Sequence, residues 1–252
     1  MRNLKVIMSY NGADYHGFQI QANAITVQEV VEGAICKLLK SKHSIIGCSR
    51  TDAGVHAREF CFNMHTDSSI PCEGFVRGLN GLLPYDIAVI SCEEADEGFH
   101  ARYSAKSKEY CYLIHNGKIR DVFMRDMAHF YPHKIDIAAM REAARLFIGE
   151  HDFSAYCKAE SLEVVKARKY GAVREIYDLE VTQDGEYVSI VIMGNGFLHN
   201  MVRIISGTLL YVSEGKLSLD DVRESLSGQN KKRELAGVTL PPQGLYLNRV
   251  MY

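Results

Sequence analysis

Arg50, Asp52 and His56 fall within one short stretch, Gly47-Cys48-Ser49-Arg50-Thr51-Asp52-Ala53-Gly54-Val55-His56-Ala57. An ionised carboxylate there can serve as nucleophile or base, and a guanidinium two residues away can hold phosphate. Gly54 permits a positive φ or a close approach to a ligand. Polar groups on a short loop between rigid flanks are a common way to build a site. The competing reading is structural. Asp and Thr ahead of Gly are ordinary turn chemistry, and an exposed Arg–Asp pair contributes little stability.

The flanks read as strands. His43 to Cys48 leans apolar. Glu59 to His65 alternates, with Phe60, Phe62 and Met64 on one face and Cys61, Asn63 and His65 on the other, the pattern of a half-buried strand. Leu4 to Ser9 is a further strand, followed by a glycine-punctuated loop from Tyr10 to Gln19. Thr26-Val27-Gln28-Glu29 has the form of a capping box. The helix behind it places Val27, Val30, Val31, Ala34, Ile35, Leu38 and Leu39 on one face. A second helix is expected from Glu73 to Leu83 and another strand from Asp86 to Cys92. The order strand, helix, strand, strand, helix, strand predicts a ferredoxin-like or RRM-like α+β lobe.

In the second half, Lys108 to His115 reads as a strand with Tyr110, Tyr112 and Ile114 on one face. A strand tyrosine is commonly a sheet-face aromatic. Asp136 caps a helix carrying Ile137, Met140, Ala144 and Phe147. Residues 156–169 show no clear period and read as a loop. Two strands, Ala172 to Gln183 and Glu186 to Met193, meet at Asp184-Gly185, a strong hairpin signal. A helix opening at the Gly194–Arg203 segment would carry Phe197 and Met201 on its apolar side, with His199 and Arg203 on one face. A short helix runs from Ser218 to about Leu226, and a last strand from Gly244 to Tyr252. The boundaries expected are residues 1–104 for a first lobe and 105–252 for a second.

The 252 residues, 47% hydrophobic and 24% charged, suffice for two lobes with sizeable cores. No apolar run is long enough to span a bilayer, and the N-terminus has no signal-peptide pattern, so the cytoplasm is the expected compartment. The seven cysteines include no Cys-x-x-Cys pair, which argues against structural zinc and a disulfide framework. His129 and His133 are separated by Pro132 and read as loop residues, not metal ligands. The net charge of −2 does not by itself suggest a nucleic-acid partner. The basic residues are clustered, at Arg102-Lys106-Lys108, at Lys166-Arg168-Lys169-Arg174 and at Lys231-Lys232-Arg233.

Arg50-Thr51-Asp52-Ala53-Gly54-Val55-His56-Ala57 resembles the signature of the TruA family of tRNA pseudouridine synthases. The likeness continues through Tyr10 to Gln19, Phe99-His100-Ala101-Arg102-Tyr103, Tyr110-Cys111-Tyr112, Phe197 to Arg203 and Gly244-Leu245-Tyr246-Leu247. Ser49 departs from it, since the family usually has Gly before the Arg. The resemblance implies the pseudouridine synthase fold: two α+β lobes sharing a continuous, mainly antiparallel sheet flanked by helices, working as a homodimer. It implies Asp52 as the catalytic residue, Tyr110 against the target base, Arg203 near the catalytic Asp and Leu245 in the uracil pocket. Phe99, His100, Ala101, Arg102 and Tyr103 would contact tRNA.

The reaction so implied converts uridine to pseudouridine at positions 38, 39 and 40 of the anticodon stem-loop. It needs no redox change and no energy input, so no cofactor and no metal are expected. The target base must be flipped out of its stack. Arg50 can follow it into the gap, and Tyr110 can stack on it. A guanidinium beside Asp52 would favour the ionised carboxylate, and Arg203 is the candidate. Attack on ribose C1′, attack on C6 and deprotonation of C2′ all remain open. Three alternatives are a divergent paralogue acting on another RNA such as rRNA, a non-catalytic RNA-binding protein on the same lobes, and a metal-dependent phosphoesterase using Asp52 and His56. The last would need further ligands at a metal.

Overall fold

The computed structural model describes residues 1–167, 170–228 and 233–252. Two compact units divide the chain: Met1–Lys106 with Tyr246–Tyr252, and Ser107–Leu245.

The first unit runs β1 (Arg2–Tyr10), α1 (Val27–Leu39), β2 (Ile46–Gly47), β3 (His56–Thr66), α2 (Cys72–Asn80) and β4 (Ile87–Ala95). This is the expected element order. β1 lies between β4 and β3 and is antiparallel to both. β2 and the C-terminal strand Leu245–Met251 each take part of β3, β2 at Phe62 and Asn63 and the C-terminal strand in parallel at His56 and Ala57. The pairing of Tyr246 with His56 brings the chain's last residues back to the first unit.

α1 forms where its sequence says it should. The Thr26 hydroxyl accepts from Glu29 N–H at 3.4 Å, and Val27, Val31, Ala34 and Ile35 are buried. The helix ends at Lys40, whose φ of 58° leaves the helical region.

The half-buried reading of β3 is corrected: Phe60, Phe62 and Met64 are buried, and so are Cys61 and Asn63 on the opposite face. Asn63 explains the second face. Its Nδ2 donates to Asn3 Oδ1 at 3.0 Å, and its Oδ1 accepts from Ala101 N–H at 2.8 Å. Asn3 Nδ2 in turn donates to Asp96 O and Phe99 O at 3.0 and 2.9 Å. Buried amides must be paired or they cost about 1–3 kcal/mol each. This pair meets the requirement by fastening the 96–101 segment over the sheet.

The second unit runs β5 (Ser107–His115), β6 (His129–Phe130), α3 (Ile137–Arg145), β7 (Gly149–Asp152), α4 (Ala159–Lys166), β8 (Val173–Asp184), β9 (Tyr187–Gly194), α5 (Met201–Ser213) and α6 (Leu219–Leu226). Its main sheet is antiparallel in the order β5, β9, β8, β7. β6 adds in parallel to the end of β5, so His129 is a strand residue and not a loop residue. Helices α3 and α5 pack against this sheet and against each other. The α+β class and the mainly antiparallel pairing therefore hold in each unit.

Asp136 caps α3 by accepting from Ala139 N–H at 3.0 Å. Ser218 and Asp221 form a reciprocal capping box on α6. The β8–β9 hairpin turns at Gly185 with φ 56°. The expected loop at 156–169 is corrected to a helix, α4, over most of its length. Among its described side chains only Val165 is buried, too few to give a periodic stripe. Arg168, Lys169, Lys231 and Lys232 of the basic clusters lie outside the described residues, as does the side chain of Lys166.

Candidate active-site elements

Asp52 opens a turn that Gly54 makes possible. Val55 N–H donates to Asp52 O at 3.2 Å, and Gly54 has φ 76°. A positive φ at the third position is the demand of a type II turn, and glycine meets it without strain. Asp52 is half-buried at the start of this turn, and Arg50 is exposed just before it. Arg50 Nη1 lies 3.5 Å from Gln19 Oε1, at the outer limit of a hydrogen bond.

A second loop braces the turn from behind. Phe18 N–H donates to Thr51 O at 3.1 Å, and Gly54 N–H donates to Tyr15 O at 3.2 Å. The Thr51 and Tyr10 hydroxyls are 2.8 Å apart and buried. A Cβ on Gly12 would lie 2.0 Å from Val55 O, and one on Gly17 would lie 2.6 Å from Thr51 O. The glycine punctuation of the first loop thus serves close backbone approach, on both sides of Asp52. Below, Phe18 stacks on Phe60 with ring centroids 4.3 Å apart. Tyr15 donates to Asp86 Oδ1 at 2.8 Å. Burial and that carboxylate push its phenol well above the usual range.

His56 is corrected from loop residue to the first residue of β3. It is 1% exposed. Its Nδ1 accepts from Gly12 N–H at 3.0 Å, a contact that requires Nδ1 to be unprotonated. The ring stacks on Tyr246 at 4.8 Å, and the Arg58 guanidinium lies 4.9 Å from the centre of the same Tyr246 ring. His56 therefore ties the bracing loop to the C-terminal strand. Arg50 and Asp52, unlike His56, keep contact with solvent.

The Phe99–Tyr103 segment is a compact knot in the same unit. His100 Nδ1 accepts from the N–H groups of Arg102 and Tyr103, both at 3.2 Å. Ser104 Oγ accepts from His100 N–H at 3.1 Å. Ala101 is buried and its carbonyl accepts from Tyr252 Oη–H at 2.8 Å. Phe99 packs edge-on against Tyr252. What remains outside is Arg102 over an exposed Tyr103 ring, 5.7 Å from its centre. Of the five residues expected to touch RNA, Ala101 and Phe99 act chiefly as anchors, and Arg102 and Tyr103 present the accessible cation and aromatic.

In the second unit Tyr110 is a buried residue of β5, paired with Ile192 of β9. Its ring meets Phe197 edge-to-face at 5.1 Å. Phe197 and His199 precede α5, because Asn200 takes φ 63° at the N-cap. The expected helical face shared by His199 and Arg203 is therefore corrected. His199 is exposed and pairs through Nδ1 with Ser161 Oγ of α4 at 2.7 Å.

Arg203, in the first turn of α5, is held in place by two acceptors. Nη1 donates to Asn200 Oδ1 at 2.9 Å, and Nε donates to Leu240 O at 2.6 Å. The 237–245 segment is fastened at several further points. Gly237 N–H donates to Thr208 Oγ1 at 2.8 Å, and Tyr112 Oη–H donates to Pro241 O at 2.7 Å. These bonds deliver Leu245, which is buried, to the start of the C-terminal strand.

The Tyr112 bond was not foreseen, and its strength can be measured. Tyr112 is fully buried, and desolvation holds its phenol protonated far above the usual range. Tyr112→Phe leaves Pro241 O without that donor, so the protein is expected to lose about 1–3 kcal/mol of stability. A urea titration that gives the variant the wild-type midpoint would show the bond to be energetically idle.

Among the described residues no three His, Cys, Asp or Glu side chains are grouped as ligands for a metal ion. No described helix is long and apolar enough to cross a membrane.

A half-buried carboxylate on a glycine turn, an exposed guanidinium two residues before it and the accessible Arg102–Tyr103 pair belong to one unit. Residues 6–104 and 143–252 match the tRNA pseudouridine synthase family. Full-length relatives named tRNA pseudouridine synthase A are found in Thermoanaerobacter pseudethanolicus, 44% identical over 252 residues covering all of both chains, and in Bacillus subtilis, 45% identical over 251 residues covering 99% of this chain and 98% of that one. The relative in Listeria welshimeri is 41% identical, with both chains fully covered. The chain belongs to the tRNA pseudouridine synthase family.

Proposed function

We propose that this protein isomerises uridine to pseudouridine in the anticodon stem-loop of tRNA, at positions 38, 39 and 40, with Asp52 as the catalytic carboxylate. Family membership over the full length supports the reaction and the tRNA substrate. The observation that carries the residue assignment is the turn itself: a half-buried carboxylate on a backbone pinned from Tyr15, Phe18, Gly12 and Gly17. Such fixing lets a single group act repeatedly at one atom of a substrate without reorganising.

The chemistry exchanges one bond for another. The C1′–N1 bond breaks, the uracil turns, and C1′ bonds to C5. C5 loses its proton and N1 gains one, so no electrons are transferred overall. Asp52 acts as nucleophile on ribose C1′ or base C6, or as the base that deprotonates C2′. Arg50, exposed two residues away, enters the stack vacated by the flipped base and holds phosphate, and flipping costs a few kcal/mol. Tyr110 stacks on the uracil. Arg203 and Leu245 are assigned to substrate binding, Leu245 on the apolar side of the uracil. Phe99, His100, Ala101, Arg102 and Tyr103 form the tRNA contact, with Arg102 on the backbone giving affinity without sequence readout. The protein works as a homodimer in the cytoplasm.

Tritium release tests the reading. With tRNA carrying tritium at uracil C5, the isolated protein is expected to release label in proportion to pseudouridine formed, mapped to positions 38–40. Tight, salt-dependent binding with no release would establish the non-catalytic RNA-binding alternative instead. Release from rRNA but not tRNA would establish the paralogue.

A further inference from the structure

β3 is irregular two residues past His56. Ala57 pairs with Tyr10 of β1 and Phe60 pairs with Met8, so Arg58 and Glu59 together stand opposite the single residue Ser9. An extra residue of this kind is a β-bulge, which bends the strand and re-aims the side chains at it. Neighbours on a regular strand alternate between faces. Here Arg58 and Glu59 are both exposed, while His56, Ala57, Phe60 and Cys61 on either side are buried.

The bulge brings Arg58 over an aromatic ring. Its guanidinium lies 4.9 Å from the centre of Tyr246, and His56 stacks on the same ring at 4.8 Å. Among the described residues no carboxylate lies within ion-pair distance of Arg58. A guanidinium placed over a ring still offers its fork of N–H donors to an anion, and the fork matches phosphate.

The same face of the sheet carries the Phe99–Tyr103 knot. Ala57 and Phe60 share a face, because their partners Tyr10 and Met8 are two apart on β1. His56 and Asn63 lie on the other face, where Asn63 bonds Ala101 of the knot and His56 stacks on Tyr246. Three cations there meet aromatics: Lys5 at 5.2 Å from Tyr252, Arg102 at 5.7 Å from Tyr103, and Arg58. Lys5 is committed to Glu93 at 2.8 Å. Arg58 and Arg102 are exposed and present their charge to solvent. Arg58 is also tied to the Asp52 turn. Tyr246 holds His56, His56 Nδ1 accepts from Gly12 N–H at 3.0 Å, and Gly12 packs on Val55 of that turn. An anion on Arg58 therefore sits at a set place relative to Asp52.

On the reading that tRNA is the substrate and Asp52 the acting carboxylate, we propose that Arg58 is a further tRNA-binding residue, gripping a backbone phosphate and fixing where the RNA lies over the Asp52 turn. Such a contact gives affinity and register without sequence readout.

Binding of a full-length tRNA transcript is titrated across a range of salt for the wild type, Arg58→Met, Arg58→Gln and Glu59→Gln, with tritium release followed in the same preparations. Methionine keeps Tyr246 covered and removes the charge. Loss of one phosphate contact is expected to flatten the plot of log affinity against log salt by about one unit, and to weaken binding about fivefold near physiological salt. Arg58→Gln is expected to match Arg58→Met, so the outcome does not depend on the folding of one variant. Glu59→Gln changes the net charge by as much at the same bulge and is expected to leave the slope unaltered. Wild-type binding and release with an unchanged slope in both Arg58 variants would overturn the role of Arg58 alone and leave it as a cover for Tyr246. A slope that Glu59→Gln shifts as far would also overturn it, since the effect would then belong to the overall field and not to a contact. A wild type that binds no tRNA would overturn the substrate reading and this role together.

Discussion

Asp52→Asn is expected to abolish pseudouridine formation while leaving the protein folded and able to bind tRNA. The amide is nearly the size of the carboxylate, and the bonds that define the turn run through backbone. Thr51 O, Asp52 O and Gly54 N–H make them, and none is altered by the exchange. What disappears is the anionic oxygen that can act as nucleophile or base. Losing a group at the reacting atoms of an enzyme costs at least about 10³-fold in turnover, or about 4 kcal/mol of barrier. Single-turnover tritium release with saturating enzyme isolates that step from binding. Retention of even a tenth of the wild-type rate constant would move the chemistry to another residue and leave Asp52 as turn architecture.

The fold was legible wherever one local signal decided an element. Thr26, Asp136 and Ser218 start their helices by accepting a backbone N–H, and each advertises that in its own residue type. Gly185 does the same for the β8–β9 hairpin. The failures lie where a distant partner decides. The alternation in β3 suggested one solvated face, but Asn63 is buried there because Asn3 and Ala101 satisfy its amide. A polar residue that is paired at long range cannot be told from a surface one by period. α4 has too few buried positions to print a stripe, and α5 starts late because Asn200 adopts a left-handed backbone that no hydrophobic pattern encodes.

The turn that carries the candidate site was legible in its residues, but its bracing was not. The spacing of Arg50, Asp52 and Gly54 identified the turn, and the structure supplies the φ that the glycine was needed for. His56 was grouped with them by proximity in sequence, yet its side chain points into the protein, onto Gly12 and Tyr246. Strand alternation past the turn carries that information only if the first strand residue is known. The roles of Tyr112 and of Arg203 as fasteners of the 237–245 segment depend on acceptors nearly forty or more residues away, so nothing local could announce them.

Gly12→Ala is expected to damage catalysis nearly as much as an active-site substitution, although its side chain is a single methyl group. The added Cβ would stand 2.0 Å from Val55 O and 2.6 Å from Val55 C, where backbone and not a flexible side chain would have to yield. Relief requires the two loops to separate by more than an ångström. That movement pulls Gly12 N–H from His56 Nδ1, now at 3.0 Å, and carries Val55 away from the turn that Asp52 opens. A displacement of about 1 Å at a catalytic group costs about 10²-fold in rate. The loss is expected in kcat, with the KM for tRNA changed much less, because the Arg102–Tyr103 knot is built from other contacts. A parallel Ala13→Gly variant controls for loop flexibility, since residue 13 is exposed. Equal losses in both variants would mean that the loop's stiffness, and not the Gly12–Val55 approach, sets the position of Asp52. A Gly12→Ala enzyme with wild-type kcat would show that the bracing loop can retreat without taking the turn along.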